Sequence, residues 1–381
     1  YVLYDYDSII ENTLREFNTM SDKNKFIVPL YSKRQIIEAG KLLVSSRKQF
    51  DESLDIVANW RNAHEYPLHG LEEHLKSLFK DALVISRLKR MDSIMEKLKR
   101  FPNMDLYYVQ DLGGCRLIVD SIAEVYASVE KFKQNSGSFA VKREYDYIKN
   151  PKDSGYRSYH LVCRYCDPLD AIYSKGGMLL EIQFRTVFQH VWATAVEILG
   201  YYTRTGLKIN KGDDSMLRFL VVMSKVIAMK ESGLSFTDAR FKTIADEIKM
   251  LDEKLHVAMK LKAMTTALLR TSKKQEEIKE LGYYVLQLGY EDHVLNIHYF
   301  RKSEARESIA VYNALEQTNS TIADVVMVSA DSFDSLKRAY PNYFTDVEQF
   351  LLIFDEVLAV ANGECCVEVG SMSTTRGIDA F

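Results

Sequence analysis

The sequence predicts an α/β or α+β protein: strands mixed with helices, then a helical segment, then a small C-terminal α/β unit. Three observations predict it. Apolar residues recur at helical spacing through the first hundred positions and again after Val187. Short β-rich runs interrupt that pattern between residues 106 and 186. A second alternation of β-rich and helical runs begins after Gly282.

Composition fits this class. The chain has 381 residues, is 47% hydrophobic and 27% charged, and contains only 6 Pro and 17 Gly, which excludes a disordered or collagenous chain. A net charge of -3 gives no global reason to expect nucleic acid or an anionic membrane as partner. No run reaches the ~20 apolar residues of a membrane helix; Phe350 to Ala361 comes closest and carries Asp355 and Glu356. The opening Tyr-Val-Leu-Tyr-Asp-Tyr lacks the basic and apolar regions of a signal peptide. Five cysteines in a long chain do not read as a disulfide framework. A cytoplasmic protein is expected.

Helices are expected at Asp55–His64 and Leu71–Phe79, with Tyr66-Pro67 as the turn between them. Val84, Leu88, Met91, Met95 and Leu98 form one stripe at offsets of 3 and 4, predicting a single helix from Leu83 to Arg100 that Pro102 stops. Strands follow at Cys115–Val119, Gly155–Arg164 and Met178–Phe184, with a helix at Ile122–Phe132. After Val187 the pattern is helical, and Phe236 to Arg270 reads as one long helix. Beyond Gly282, strands are expected at Tyr283–Leu288, Val294–Phe300 and Ala323–Ser329, and helices at Ser303–Glu316, Ser332–Ala339 and Asp346–Val360. The division is thus 1–210, a helical connector 211–282, and an accessory unit 283–381.

Charge is unevenly spread. Between Ile85 and Tyr165 there are 15 Lys and Arg against 10 Asp and Glu, a local excess of +5 that suits a polyanionic ligand such as a nucleotide, or a solvated basic face. On the expected helix from Leu83, Lys89, Ser93 and Lys97 share a stripe. On the strand after Gly155, Tyr156, Ser158 and His160 alternate to one face. On the strand from Met178, Glu181, Gln183 and Arg185 share one face while Leu180, Ile182 and Phe184 share the other. With Asp111 before Gly113-Gly114, the set holds two carboxylates among several cations, the parts of Mg-dependent phosphoryl transfer.

Four segments in order carry a resemblance: Arg87-x-Lys89-x3-Ser93-Ile94-x2-Lys97; Asp111-Leu-Gly-Gly-Cys-Arg116; Asp146 to His160 around Gly155-Tyr156-Arg-Ser158; and Glu181-Ile-Gln183-Phe-Arg185-Thr186. Over roughly residues 50 to 210 the chain resembles the synthetase domain of RelA/SpoT-type alarmone synthetases. The resemblance implies a nucleotidyltransferase-like mixed sheet. It implies transfer of pyrophosphate from ATP to the 3′-hydroxyl of GDP or GTP, with AMP as leaving group and Mg2+ as cofactor. It implies ATP contacts from Arg87, Lys89, Lys97, Lys142 and Arg143, and Asp111 and Glu181 as catalytic and metal-holding carboxylates. It further implies acceptor contacts from Lys152, Tyr156, His160 and Gln183, with Tyr156 as a stacking platform. No His-Asp dipeptide occurs, so the metal motif of the bifunctional members' hydrolase domain is missing.

Other readings stay open. Related members attach pyrophosphate to the 3′ end of tRNA, and in fused toxin–antitoxin members a C-terminal Tyr-x-x-Tyr region blocks the ATP site. Tyr340-Pro-Asn-Tyr343 has that spacing, or is a turn with packed aromatics. A silent nucleotide-binding regulator is the third reading. Cys163, Cys166, Cys365 and Cys366 are numerous enough for zinc, but the odd spacing of the first two at a strand end sends them to opposite faces and favours packing. Trp192 is expected in the core, and the helices of 214–281 as an oligomer interface.

Overall fold

In this computed structural model, residues 26–45, 50–203, 213–234, 239–261, 282–289, 295–319, 323–330 and 347–364 are described. In chain order the elements are α1 (Lys33–Ser45), α2 (Phe50–Ala63), α3 (Glu65–Leu78), β1 (Leu83–Leu88), α4 (Met91–Arg100), β2 (Gly113–Val119), α5 (Ile122–Gln134), β3 (Phe139–Asp146), β4 (Tyr159–Tyr165), α6 (Ala171–Ser174) and β5 (Leu179–Thr186). There follow α7 (Val187–Thr203), α8 (Asp214–Glu231), α9 (Ala239–Leu255), β6 (Gly282–Gly289), β7 (Leu295–Arg301), α10 (Ala305–Asn319), β8 (Ala323–Ala330) and α11 (Glu348–Ala361).

The strands form one sheet in the order β3-β4-β5-β2-β1-β8-β6-β7. Its β2–β5 pair is parallel and the other neighbours are antiparallel, so the sheet is mixed as expected. Alternation decides its faces. Cys115, Leu117, Leu180, Ile182, Phe184 and Leu161 point into the main core, where Leu71, Leu75 and Phe132 of α3 and α5 cover them. Their neighbours Arg116, Glu181, Gln183 and His160 point the other way.

Several expectations are corrected. The stripe from Leu83 is not one helix: Leu83–Leu88 is strand β1, and α4 begins only at Met91. Val84 and Leu88, four apart, satisfy both spacings, and in mid-sheet β1 the successive residues Val84, Ile85 and Ser86 are all buried, which erases strand alternation there. Strand β4 starts at Tyr159, so Tyr156 and Ser158 stand in the preceding loop. Strand β3 was not anticipated; it is an edge strand whose register shifts between Val141 and Arg143, breaking its pattern. The break between α2 and α3 falls at His64, and Pro67 sits in the first turn of α3, where its missing N–H costs little. The long helix ends at Leu255, where His256 adopts φ 53°.

The C-terminal strands do not make a sheet of their own. β8 pairs with β1 at Ser86↔Ser329 and Arg87↔Val328, and β6 and β7 extend the sheet beyond it. Helix α11 leaves these strands and joins α7, α8 and α9 in a second core of Trp192, Phe219, Met223, Ile248, Phe350 and Phe354. Trp192 is buried as expected, its indole donating to the Leu220 carbonyl at 2.9 Å. The Tyr340–Tyr343 segment, Ser332–Ala339 and Cys365-Cys366 lie outside the described residues. Cys163 is buried in β4, whereas Cys166 lies exposed beyond the end of that strand and is not packed as expected.

Candidate active site

The polar face of the sheet opens where β1, β2 and β5 run side by side. Register places Arg87 opposite Gly114 and Gly114 opposite Glu181. A Cβ at Gly114 would stand 3.1 Å from the Glu181 carbonyl oxygen, so glycine keeps this row open. The pocket is lined by Ile85, Arg87, Lys89, Asp111, Arg116, Glu181 and Gln183, among others.

At one end Asp111 is held by two lysines. Lys89 Nζ donates to Oδ2 at 2.8 Å and Lys97 Nζ to Oδ1 at 2.7 Å. Burial alone would raise the Asp111 carboxyl, but the two ammonium charges outweigh it and hold it well below the usual carboxylate range. Lys89 is lowered, first by burial and then by Lys97 and Arg87, with Asp111 opposing. The expected convergence of Lys89 and Lys97 is therefore present, reached from the β1–α4 turn and from α4 rather than along one helix.

The other end is a closed circuit of side chains. His160 Nδ1 lies 2.9 Å from Glu181 Oε1, and His160 Nε2 lies 2.9 Å from the Tyr156 hydroxyl. Arg185 Nη2 donates to that hydroxyl at 2.7 Å and to Gln183 Oε1 at 2.8 Å, while Gln183 Nε2 returns to Glu181 Oε2 at 2.7 Å. The shared face of Glu181, Gln183 and Arg185 is thus as the alternation predicts. Burial opposes the charge on His160, yet Tyr156 and Glu181 raise it to about 9. Burial would raise Glu181, but the charge and hydrogen bond of His160 pull it down to about 2. Tyr156, which burial alone would raise, is brought down to about 7 by Arg185 and His160.

Beside the circuit stands an aromatic wall. Tyr145 and Tyr147 stack at 5.8 Å between centroids, Tyr147 meets Tyr156 edge-on, and Lys152 Nζ lies 4.3 Å from the Tyr147 centroid and 5.1 Å from that of Tyr156. Tyr156 and Lys152 are therefore together, whereas both nitrogens of His160 are taken up by side chains of the circuit. Lys142 and Arg143 are exposed on edge strand β3, outside the residues lining the Asp111 pocket.

The loop bearing Lys152 and Tyr156 is clamped from the helical cluster. Gly155 has φ +85°, and a Cβ there would meet Ser224 Cβ at 3.0 Å and Val221 Cα at 3.2 Å. Ser224 also donates to the Gly155 carbonyl at 2.5 Å. Glu231, at the end of α8, pairs with Arg157, accepts from Thr186 Oγ1 and takes Gln189 Nε2 at 3.1 Å. It thereby ties the residue after Tyr156 to the residue after Arg185. Sequence reasoning gave no role to Glu231, Tyr145, Tyr147 or Arg116; the only signal for the last was its place in the Asp111 motif.

Two carboxylates stand beside clustered cations on the polar face of the sheet. The comparisons name the class. Residues 86–206 match the region found in RelA / SpoT proteins. The chain is 32% identical over 163 residues to the GTP pyrophosphokinase YjbM of Bacillus subtilis, covering 42% of this chain and 72% of that protein. It is 27% identical over 162 residues to GTP pyrophosphokinase YwaC of the same organism, covering 38% and 76%. Among solved structures, the small alarmone synthetase 1 of Bacillus subtilis bound to its product pppGpp aligns at 25% identity with a TM-score of 0.38, over 49% of this chain and 94% of that one. The chain belongs to the RelA/SpoT family.

Proposed function

We propose that this protein is a GTP diphosphokinase that moves pyrophosphate from ATP to the 3′-hydroxyl of GDP or GTP. In the reaction the 3′-hydroxyl oxygen bonds to the β-phosphorus and gives its proton to Glu181, the bond between that phosphorus and the oxygen bridging to the α-phosphorus breaks, and AMP leaves with that oxygen. The observation that carries this reading is the meeting of the Lys89–Asp111–Lys97 cradle and the Glu181 circuit in one pocket. Both lie within the segment shared with relatives named GTP pyrophosphokinases.

Each end has a task. Arg87, Lys89 and Lys97 supply positive charge for the triphosphate, where charge compensation dominates this chemistry. The aromatic wall with Lys152 offers a base a stacking surface and its phosphate a cation. Glu181, oriented by His160 and Gln183, is placed to align the 3′-hydroxyl and take its proton. Mg2+ suits the donor set, because it takes one or two carboxylates together with substrate phosphates. Asp111 and Glu181 line one pocket and would hold it, and the ion would neutralise charge on the transferred group.

The test is transfer of label from γ-labelled ATP with Mg2+, offered separately to GDP, GTP and deacylated tRNA, with Glu181→Gln as control. Label on a guanine nucleotide, lost in the variant, supports the reading. Label on tRNA alone, or none at all, overturns it. No helix among the described residues is long and apolar enough to cross a membrane, and a cytoplasmic setting is part of this proposal.

A further inference from the structure

Arg61 is fully buried at 0% exposure, and Glu316 is 7% exposed. They lie 255 positions apart in sequence, and neither falls in the segment 86–206. Arg61, on α2, donates from Nε to the Lys89 carbonyl at 2.6 Å. Its Nη1 faces Asn313 Oδ1 at 3.3 Å and Glu316 Oε2 at 3.4 Å, and its guanidinium sits 4.4 Å from the Tyr312 ring centre. Asn313, Glu316 and Tyr312 all belong to α10. The other oxygen of Glu316 accepts the backbone N–H of Met91 at 2.7 Å.

That last contact falls at a place α4 leaves open. Its N-cap residue, Arg90, makes no side-chain cap, so the first N–H groups of α4 need a partner from elsewhere. Glu316 supplies one and sets a negative charge at the positive end of the helix. The consequence reaches the site: Lys89 precedes α4, Lys97 lies on it, and both hold Asp111. Arg61 fixes the backbone of the first lysine and Glu316 the start of the helix carrying the second. A buried ion pair seldom stabilises more than well-packed apolar residues would, so stability alone gives little reason for this one.

We propose that Arg61 and Glu316 are positioning residues for the lysine cradle, through which the C-terminal helix α10 sets the spacing of Lys89 and Lys97. For its kinetic consequence this rests on the synthetase reading; for its structural one it does not. The intended consequence is on donor binding, since both lysines are assigned to the triphosphate.

The experiment uses the full chain in two double variants, Arg61→Met with Glu316→Leu and Arg61→Met with Glu316→Gln. Amide hydrogen exchange of Met91 to Lys97 is measured without nucleotide, and KM for ATP and kcat are measured separately. The Leu variant leaves the Met91 N–H and the Lys89 carbonyl without these partners and is expected to melt somewhat lower, to exchange these amides at least ~10-fold faster, and to raise KM for ATP ~10-fold with a smaller change in kcat. The Gln variant retains an acceptor for Met91 and is expected to recover the protection. Equal exchange in the two variants, or wild-type exchange and KM in the Leu variant, overturns the proposal. If the Leu variant does not fold, the Gln variant decides through Lys89: a wild-type KM overturns the proposal and a raised one supports it. An intact chain that transfers no pyrophosphate removes the synthetase reading alone, and the exchange result then still decides the positioning.

Discussion

Glu181 Oε1 faces His160 Nδ1 at 2.9 Å, and the opposite nitrogen of the same ring faces the Tyr156 hydroxyl at 2.9 Å. A single imidazole therefore joins the carboxylate end of the pocket to its aromatic wall. Arg185 and Gln183 close the loop on the far side, so no member can rotate without breaking two hydrogen bonds. Such a network fixes orientation more firmly than its separate contacts would.

The pH dependence of this pair follows from its shifts. His160 is raised from 6.5 to about 9, so its contribution to stability is complete below pH 6.5 and is lost as pH rises through about 9. Glu181 is lowered from 4.5 to about 2, so its contribution is present above pH 4.5 and is lost as pH falls through about 2. Glu181→Gln is expected to lower the His160 midpoint, with Tyr156 still holding it up, read from its ring proton shifts by NMR. A midpoint that does not fall at all would show that Glu181 contributes nothing to the shift.

Asp111→Asn removes the charge between two lysines that are themselves largely shielded. The expected loss is on the order of 3 kcal/mol in transition-state stabilisation, a ~100-fold fall in kcat/KM. The fold should lose about 1–3 kcal/mol, intermediate between an exposed and a buried pair. Activity assays and urea unfolding read the two effects separately.

Gly155→Ala puts a Cβ on a residue at φ +85° and within 3.0 Å of Ser224 Cβ. A destabilisation of about 2–3 kcal/mol is expected from strain and crowding together. Because Tyr156 follows directly, KM for the acceptor should rise more than KM for ATP. Gly233→Ala is the comparison for backbone strain alone: its φ is +71° with nothing within 4 Å, so it carries strain without crowding.

A chain ending at residue 281 is expected to be insoluble rather than activated. It would uncover β1 where β8 now pairs, strand Arg61 without Glu316, and strip α11 from the second core. Soluble expression and light scattering test this. A soluble, monomeric and more active fragment would instead support a blocking role for the C-terminal region that holds Tyr340 and Tyr343.

Glu65 is buried under the sheet and raised to about 8, by burial first and by the charge of Glu72 second. Its folded form keeps a proton that the unfolded chain releases above about 4.5, so stability should fall as pH climbs from 4.5 to 8. Glu65→Gln is expected to flatten that fall in thermal midpoints taken across the range. An unchanged slope would assign the pH dependence to other groups.

The sequence alone determined what depends on neighbours along the chain. Period-2 alternation placed Glu181, Gln183 and Arg185 on one face of a strand with Leu180, Ile182 and Phe184 on the other, because the pleat leaves no choice. Motif order located Asp111, Lys89 and Lys97. Alternation failed at β1, where Val84, Ile85 and Ser86 are buried in succession, and at β3, where a register shift breaks it. Only the tertiary structure decided which groups would meet across elements. Lys89 and Lys97 converge on Asp111 through a strand, a turn and a helix rather than one helical stripe; His160 turns both nitrogens to side chains of its own circuit; and Glu316 reaches Met91 from 225 positions away. Such pairings depend on how the sheet closes and which helix covers it. Those are outcomes of long-range burial, and no local spacing records them.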